Sequence, residues 1–214
     1  MFLQLYVIYF MILFFLCTTA ALSVSLIIQI RKKAKALQYK EAFCHDYLTG
    51  LSSRQAAEIY ICGALNRLNT AAVSAAEMPA SAPSNEIVAA FMILDLDHFK
   101  EVNDTKGHMA GDELLRQVGQ TLKNSVRVTD MVGRLGGDEF LIYLAPIDSE
   151  DIFCQKANQI CEAVRLLTKD TAVTVSIGIT PVFRSGGTFH DLYEKADAAL
   201  YKAKESGRDC YYVG

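Results

Sequence analysis

The sequence predicts an α+β fold: a ferredoxin-like antiparallel sheet with helices on one face in split β-α-β-β-α-β order, preceded by one transmembrane helix. Three observations carry this. The chain opens on an uncharged, strongly apolar segment; beyond it, apolar runs of strand length alternate with stretches of helical periodicity; and one Gly-Gly pair joins two strand-like runs directly.

Phe2 to Ile30 holds no Asp, Glu, Lys, Arg or His, an uncharged stretch of 29 residues. A helix rising about 1.5 Å per residue needs roughly 20 residues to cross a hydrocarbon core, so residues 1–30 are read as a single span. A cleaved leader would carry a basic start and a shorter apolar run. Cys17 follows Phe15 and Leu16, where lipoprotein processing would need a small residue. Arg31, Lys32, Lys33, Lys35 and Lys40 then precede the first acid, Glu41. Lys and Arg collect on the cytoplasmic side of a span, which places the C-terminal part inside the cell. Residues 31–45 are read as a basic linker helix whose cations can also touch anionic head groups.

Residues 46–214 form the expected folded domain. Ala57, Ile59, Ile61, Leu65 and Leu68 recur at helical spacing and predict a helix from Arg54 to about Ala76, and the Pro- and Ser-rich stretch Met78 to Asn85 predicts an exposed loop. Ile87 to Leu94 is a near-continuous apolar run, which fits a strand buried on both faces and ending in Asp95-Leu-Asp97. A helix is expected from Asp112 to Val126. Strands at Met131 to Leu135 and Glu139 to Leu144 follow, joined through Gly136-Gly137, whose residues reach the positive φ of a tight turn. A helix from Ser149 to Leu167, a strand from Ala172 to Thr180, a helix from Phe189 to Ser206 and a short strand from Cys210 to Val213 complete the order.

Charge narrows the function. Of 21 basic residues five lie before Glu41, leaving 16 against 24 acids, so residues 41–214 carry a formal charge of −8. Such a domain lacks the basic footprint of a duplex-binding protein, and no nucleic-acid partner is expected. A nucleotide can still be held by a few local cations and a metal ion. Six cysteines show no CxxC pair and none lies at finger-like spacing from a histidine, so buried free thiols are expected rather than a zinc site.

Two acid clusters carry the chemistry. Asp95 and Asp97 sit two apart at a strand end and point to one face. Taken alone, the pair reads as two solvated acids capping the next helix. Gly136-Gly137-Asp138-Glu139-Phe140 adds a second carboxylate pair at a hairpin tip, with bare glycine backbone where a ligand can approach. A hairpin beside the Asp95 strand would unite both clusters, which suits Mg²⁺ bound together with substrate phosphates. The pentapeptide is a chance event on the order of one in a million per position, so a mere polar turn is the weaker reading.

From about Asp46 to its end the chain resembles the GGDEF domain of diguanylate cyclases. The resemblance rests on the pentapeptide, Asp46-Tyr-Leu-Thr-Gly-Leu-Ser-Ser-Arg54, Asp95-Leu-Asp-His-Phe-Lys-Glu-Val-Asn-Asp104, Gly107-His108, Gly111-Asp112, Ser176-Ile-Gly178, Ala196 to Lys204, and Gly207-Arg208. Ser53 and Asp209 depart from the pattern, which has Asn at both positions.

The resemblance implies a bacterial enzyme that joins two GTP into cyclic di-GMP, and the span with the cations after it places that domain on the cytoplasmic face of the inner membrane. It implies that Asp95, the Leu96 carbonyl, Asp138 and Glu139 bind Mg²⁺ or Mn²⁺, with Asp138 and Glu139 catalytic. Asn103 and Asp112 would read the guanine edge; Lys100, Lys204 and Arg208 would neutralise the triphosphate; Gly136 and Gly137 would let it approach. His108 would lie over the nucleotide or make a helix-start hydrogen bond, two readings of equal weight. Each domain would hold one GTP, so a homodimer is required for catalysis. Arg127-Val-Thr-Asp130 is separated from Gly136 by the five residues Met131 to Leu135, the family's spacing for an RxxD site that binds the product and inhibits. On its own it reads as a surface ion pair. The alternatives are a catalytically inactive GGDEF domain that serves as a GTP or cyclic di-GMP receptor, and a membrane scaffold.

Overall fold

The computed structural model describes residues 44–76 and 86–214, together with residues 11, 19 and 25–31; at 72–76 it describes the backbone alone. The chain divides into two units, Met1–Phe43 and Cys44–Gly214. In the first, residues 25–31 are helical. Most of the expected span at 1–30 and of the linker helix at 31–45 lies outside the described residues. Among the described residues no helix is long and apolar enough to cross a membrane.

The second unit runs β1 (Ser52–Ser53), α1 (Arg54–Ala76), β2 (Ile87–Asp97), α2 (Phe99–Lys106), α3 (His108–Ser125), β3 (Met131–Gly136), β4 (Glu139–Leu144), α4 (Glu150–Leu167), β5 (Thr174–Phe183), α5 (Phe189–Glu205) and β6 (Tyr211–Val213). Its sheet has the order β1-β3-β4-β2-β5-β6. The four inner strands pair antiparallel in the ferredoxin-like order, but β1 joins β3 and β6 joins β5 in parallel. The sheet is therefore mixed, not antiparallel throughout.

Helices cover both faces, which corrects the expectation of one covered face. Along β2 the side chains of Ala90, Met92, Leu94 and Leu96 enter one core with Phe99, Leu115, Val118, Leu122, Phe153 and Ile160 from α2, α3 and α4. The alternate residues Ala89, Phe91 and Ile93 enter a second core with Ile61, Leu65, Leu192, Ala196 and Leu200 from α1 and α5. A strand apolar at nearly every position requires cover on both faces, because burying a side chain such as Phe91 or Ile93 contributes about 1.5–3 kcal/mol. Asp95 and Asp97 continue the second series, so the strand alternation points them to the α5 side.

The helix expected to begin at Asp112 begins at His108, and α2 precedes it. Only Phe99 and Val102 are buried along the eight residues of α2, too few to register as a period. Gly107, at φ 82°, separates the two helices. On the far side of the sheet α5 lies almost against the β5 backbone. A Cβ added at Gly178 would stand 2.0 Å from the Ala196 carbonyl oxygen and 2.3 Å from the Leu200 nitrogen. The absent side chain is what lets α5 approach and carry Lys204 toward the end of β2.

Candidate functional site

The two acid clusters meet at the C-terminal end of β2. Asp95 pairs across the ladder with Glu139, the first residue of β4. One step on, the Leu96 N–H donates to the Asp138 carbonyl oxygen at 3.3 Å, which ties the hairpin tip to the strand end. Gly136 and Gly137 bend the tip at φ 148° and 54°, and nothing lies within 4 Å of where either Cβ would be. The backbone there is open to a ligand.

The electrostatics of this corner favour a cation. Burial pushes the Asp95 carboxyl up; the Lys204 ammonium, donating to Asp95 Oδ1 at 2.8 Å, opposes this, and Asp138 and Asp97 add to the rise. Burial likewise pushes Glu139 up, reinforced by Asp95 and Asp138. An acid whose folded-state pKa is raised loses stability for the fold as pH climbs through its titration, so ionising these carboxylates carries a cost that a bound cation relieves. The donors are hard oxygens, as Mg²⁺ or Mn²⁺ requires. Among the described residues no three acidic, histidine or cysteine side chains already stand together as a closed metal cage. The residues fit a cation shared with a phosphate better than one held by protein alone.

Asp97 has a different role from its neighbour two residues earlier. It is only 2% exposed, and its carboxylate accepts from Thr174 Oγ1 at 2.7 Å, Ser176 Oγ at 2.8 Å and the Asp209 N–H at 3.2 Å. It anchors β5 and the turn after α5, with Arg208 Nε 3.8 Å from its Oδ1. Lys204 and Arg208 thus both reach the acid end of β2.

Arg134 was not singled out from sequence, yet it braces the hairpin. Its guanidinium donates to the Gly137 carbonyl oxygen at 2.6 and 3.0 Å and to both Asp46 oxygens at 3.1 and 3.3 Å. Burial pushes the Asp46 carboxyl up, but hydrogen bonds from Thr49 and Arg134 outweigh it and hold the pKa below the usual value. No local signal pointed to Arg134, because its acid partner Asp46 lies 88 residues away in the sequence.

The remaining expected nucleotide residues lie on α2 and α3. Lys100 is exposed in the first turn of α2, after His98 turns the chain at φ 60°. The Asn103 side chain occupies space left by Gly111, where an added Cβ would sit 2.0 Å from Asn103 Oδ1. This fixes the amide against α3, one residue from exposed Asp112. His108 is exposed at the first position of α3, directly after Gly107 at the cap position.

Arg127 and Asp130 belong to a separate groove of about 700 Å³, lined also by His45, Tyr60 and Lys123. They do not form the surface ion pair considered from sequence. The Asp130 carboxylate accepts from the backbone N–H groups of Arg127 at 2.8 Å and Ala145 at 3.3 Å. It shapes the loop and leaves the Arg127 side chain exposed over the groove. The expectation of buried free thiols holds among the described cysteines for Cys161 alone, whose thiol burial pushes up to about 12, while Cys62, Cys154 and Cys210 are half-buried and Cys44 is exposed.

Residues 43–210 match the sequence model of the family described as diguanylate cyclase, GGDEF domain. The chain is 39% identical over 136 residues to the probable diguanylate cyclase DgcT of Escherichia coli, covering 60% of this chain and 30% of DgcT. It is 35% identical over 185 residues to the diguanylate cyclase DgcS of Shewanella oneidensis, covering 82% of this chain and 55% of DgcS. It therefore spans about half or less of the length of these relatives. Among solved structures, the coiled coil and GGDEF domain of DgcB from Caulobacter crescentus, in complex with c-di-GMP, superposes with a TM-score of 0.69 at 26% identity, covering 91% of this chain and 98% of that one.

Proposed function

We propose that this chain, which belongs to the diguanylate cyclase GGDEF-domain family, condenses two GTP into cyclic di-GMP with release of two pyrophosphates. The observation that carries the reading is the meeting of Asp95, Asp138 and Glu139 at one strand end beside the open Gly136-Gly137 backbone, with Lys204 already drawn to Asp95. In that reading Asp95, Asp138, Glu139 and the Leu96 carbonyl hold Mg²⁺ or Mn²⁺, which supplies positive charge to the triphosphate. Lys100, Lys204 and Arg208 add cationic donors for the phosphates. Asn103 and Asp112 face the guanine, whose N1 and N2 donors a carboxylate accepts.

Each domain binds one GTP, and two domains meet so that each 3′-hydroxyl attacks the partner's α-phosphate. Two phosphodiester bonds form, two bonds to pyrophosphate break and two protons leave. Holding both reactants in line supplies most of the acceleration. The reading is tested by incubating the purified chain with GTP and Mg²⁺, ATP serving as control. GTP is converted to cyclic di-GMP and ATP is left intact; conversion of both, or of neither, would contradict it.

The domain is held at the inner membrane of a bacterium, on the cytoplasmic side, by residues 1–30; the support is the 29-residue uncharged segment followed by five cations. A reporter fused after Gly214 is expected to be active only in the cytoplasm, and activity in the periplasm would reverse the orientation.

Product inhibition is supported by Arg127 standing exposed over a groove large enough for a dinucleotide. Since Asp130 shapes the loop, Arg127→Ala is the cleaner variant. It is expected to raise the cyclic di-GMP concentration needed for half-inhibition at least about tenfold, because a charge-assisted contact contributes roughly 1.5–3 kcal/mol. An unchanged inhibition curve would move any feedback to the active site.

A further inference from the structure

Asp209 stands where the family pattern has an uncharged Asn, immediately after Arg208. Both residues adopt left-handed backbone, at φ 64° for Arg208 and 49° for Asp209. Such a turn persists only where its surroundings fix it, and here two side chains do so. Buried Asp97 accepts the Asp209 N–H from one side, and Arg165 of α4 donates through Nε to Asp209 Oδ2 at 2.8 Å from the other. Asp209 Oδ1 is buried without a hydrogen-bond partner.

A carboxylate so placed adds a negative charge beside Asp97 and next to the cation assigned to the triphosphate. In the region of a polyphosphate this charge opposes binding unless it is countered. Among the described residues the ion pair with Arg165 is the one Asp209 makes, and it spans 44 residues of sequence, so it is not a product of local helix spacing.

We propose that Arg165 is a positioning residue of the nucleotide site, whose charge offsets Asp209 so that Arg208 meets the GTP triphosphate without competition from the Asp209 carboxylate. This rests on the reading of Arg208 as a triphosphate cation. Arg165 pairs with Asp209 and with none of Asp95, Asp138 and Glu139, and its side chain is about half exposed, so its removal leaves the core intact. Asn accommodates left-handed backbone as Asp does, so Asp209→Asn keeps the turn and removes only the charge.

The test is a mutant cycle on the full chain, read as KM for GTP and kcat. Arg165→Ala is expected to raise KM roughly three- to fivefold, the size of an exposed ion pair, with kcat within about twofold. Introduced into the Asp209→Asn background, Arg165→Ala is expected to change KM by less than about twofold, because no charge remains to be offset. A role confined to packing of α4 would give the same loss in both backgrounds and overturn the proposal, as would an unchanged KM in Arg165→Ala alone. Arg208→Ala separates the two levels. If it raises KM while the cycle shows no coupling, the role of Arg165 falls alone; if it leaves KM unchanged, the triphosphate assignment falls and the role of Arg165 with it.

Discussion

Asp138→Asn is expected to lower cyclic di-GMP synthesis about a hundred- to a thousandfold while leaving the domain folded. The carboxylate sits at a hairpin tip beside open glycine backbone, so its exchange for an isosteric amide removes no core volume. What it removes is one of the charges that push Asp95 and Glu139 up. The fold should gain slightly from that relief, while the site loses a charged oxygen for its cation. A single preorganised electrostatic contact of this kind contributes on the order of 10²–10³ in rate. Turnover with GTP and Mg²⁺ checks the loss, and a thermal melt at or above the wild-type midpoint checks the fold. Near wild-type turnover in a folded variant would remove Asp138 from the metal site.

Gly178→Ala is expected to destabilise the domain by about 2–3 kcal/mol, the upper part of the usual range for overpacking. The new methyl would meet the Ala196 carbonyl oxygen and the Leu200 nitrogen, both backbone atoms that cannot rotate aside. Relief requires α5 to lift from β5, and α5 carries Lys204, which holds Asp95 at 2.8 Å. The midpoint of thermal unfolding should fall by roughly 5–10 °C, with activity falling alongside. A melt unchanged from wild type would show that α5 does not depend on this close approach.

These two positions also mark what was legible in the sequence. The acid corner was readable because Asp95 ends an apolar run and Asp138-Glu139 follow a Gly-Gly turn, each a local feature of a few residues. The inner strand order followed from the alternation of apolar runs. The cover on both faces was already implied by the unbroken run Ile87 to Leu94, which a one-faced sheet cannot accommodate. The edge strand β1, two residues long, was not readable, and although the short strand at Cys210 to Val213 was expected, its parallel pairing with β5 was not. Arg134 bridging to Asp46, and Arg165 bridging to Asp209, join residues 88 and 44 apart in sequence, and pairing at that range is set by tertiary packing alone.

The central claim is that two GTP-loaded domains exchange bonds with each other, and stoichiometry tests it most directly. Pyrophosphate and cyclic di-GMP are measured together as the full chain turns over GTP with Mg²⁺, across a range of protein concentrations. The account predicts two pyrophosphates for each cyclic di-GMP and a specific activity that rises with protein concentration until the dimer is saturated. Pyrophosphate or phosphate released without cyclic di-GMP, or a GTP-bound protein that releases neither, would contradict it.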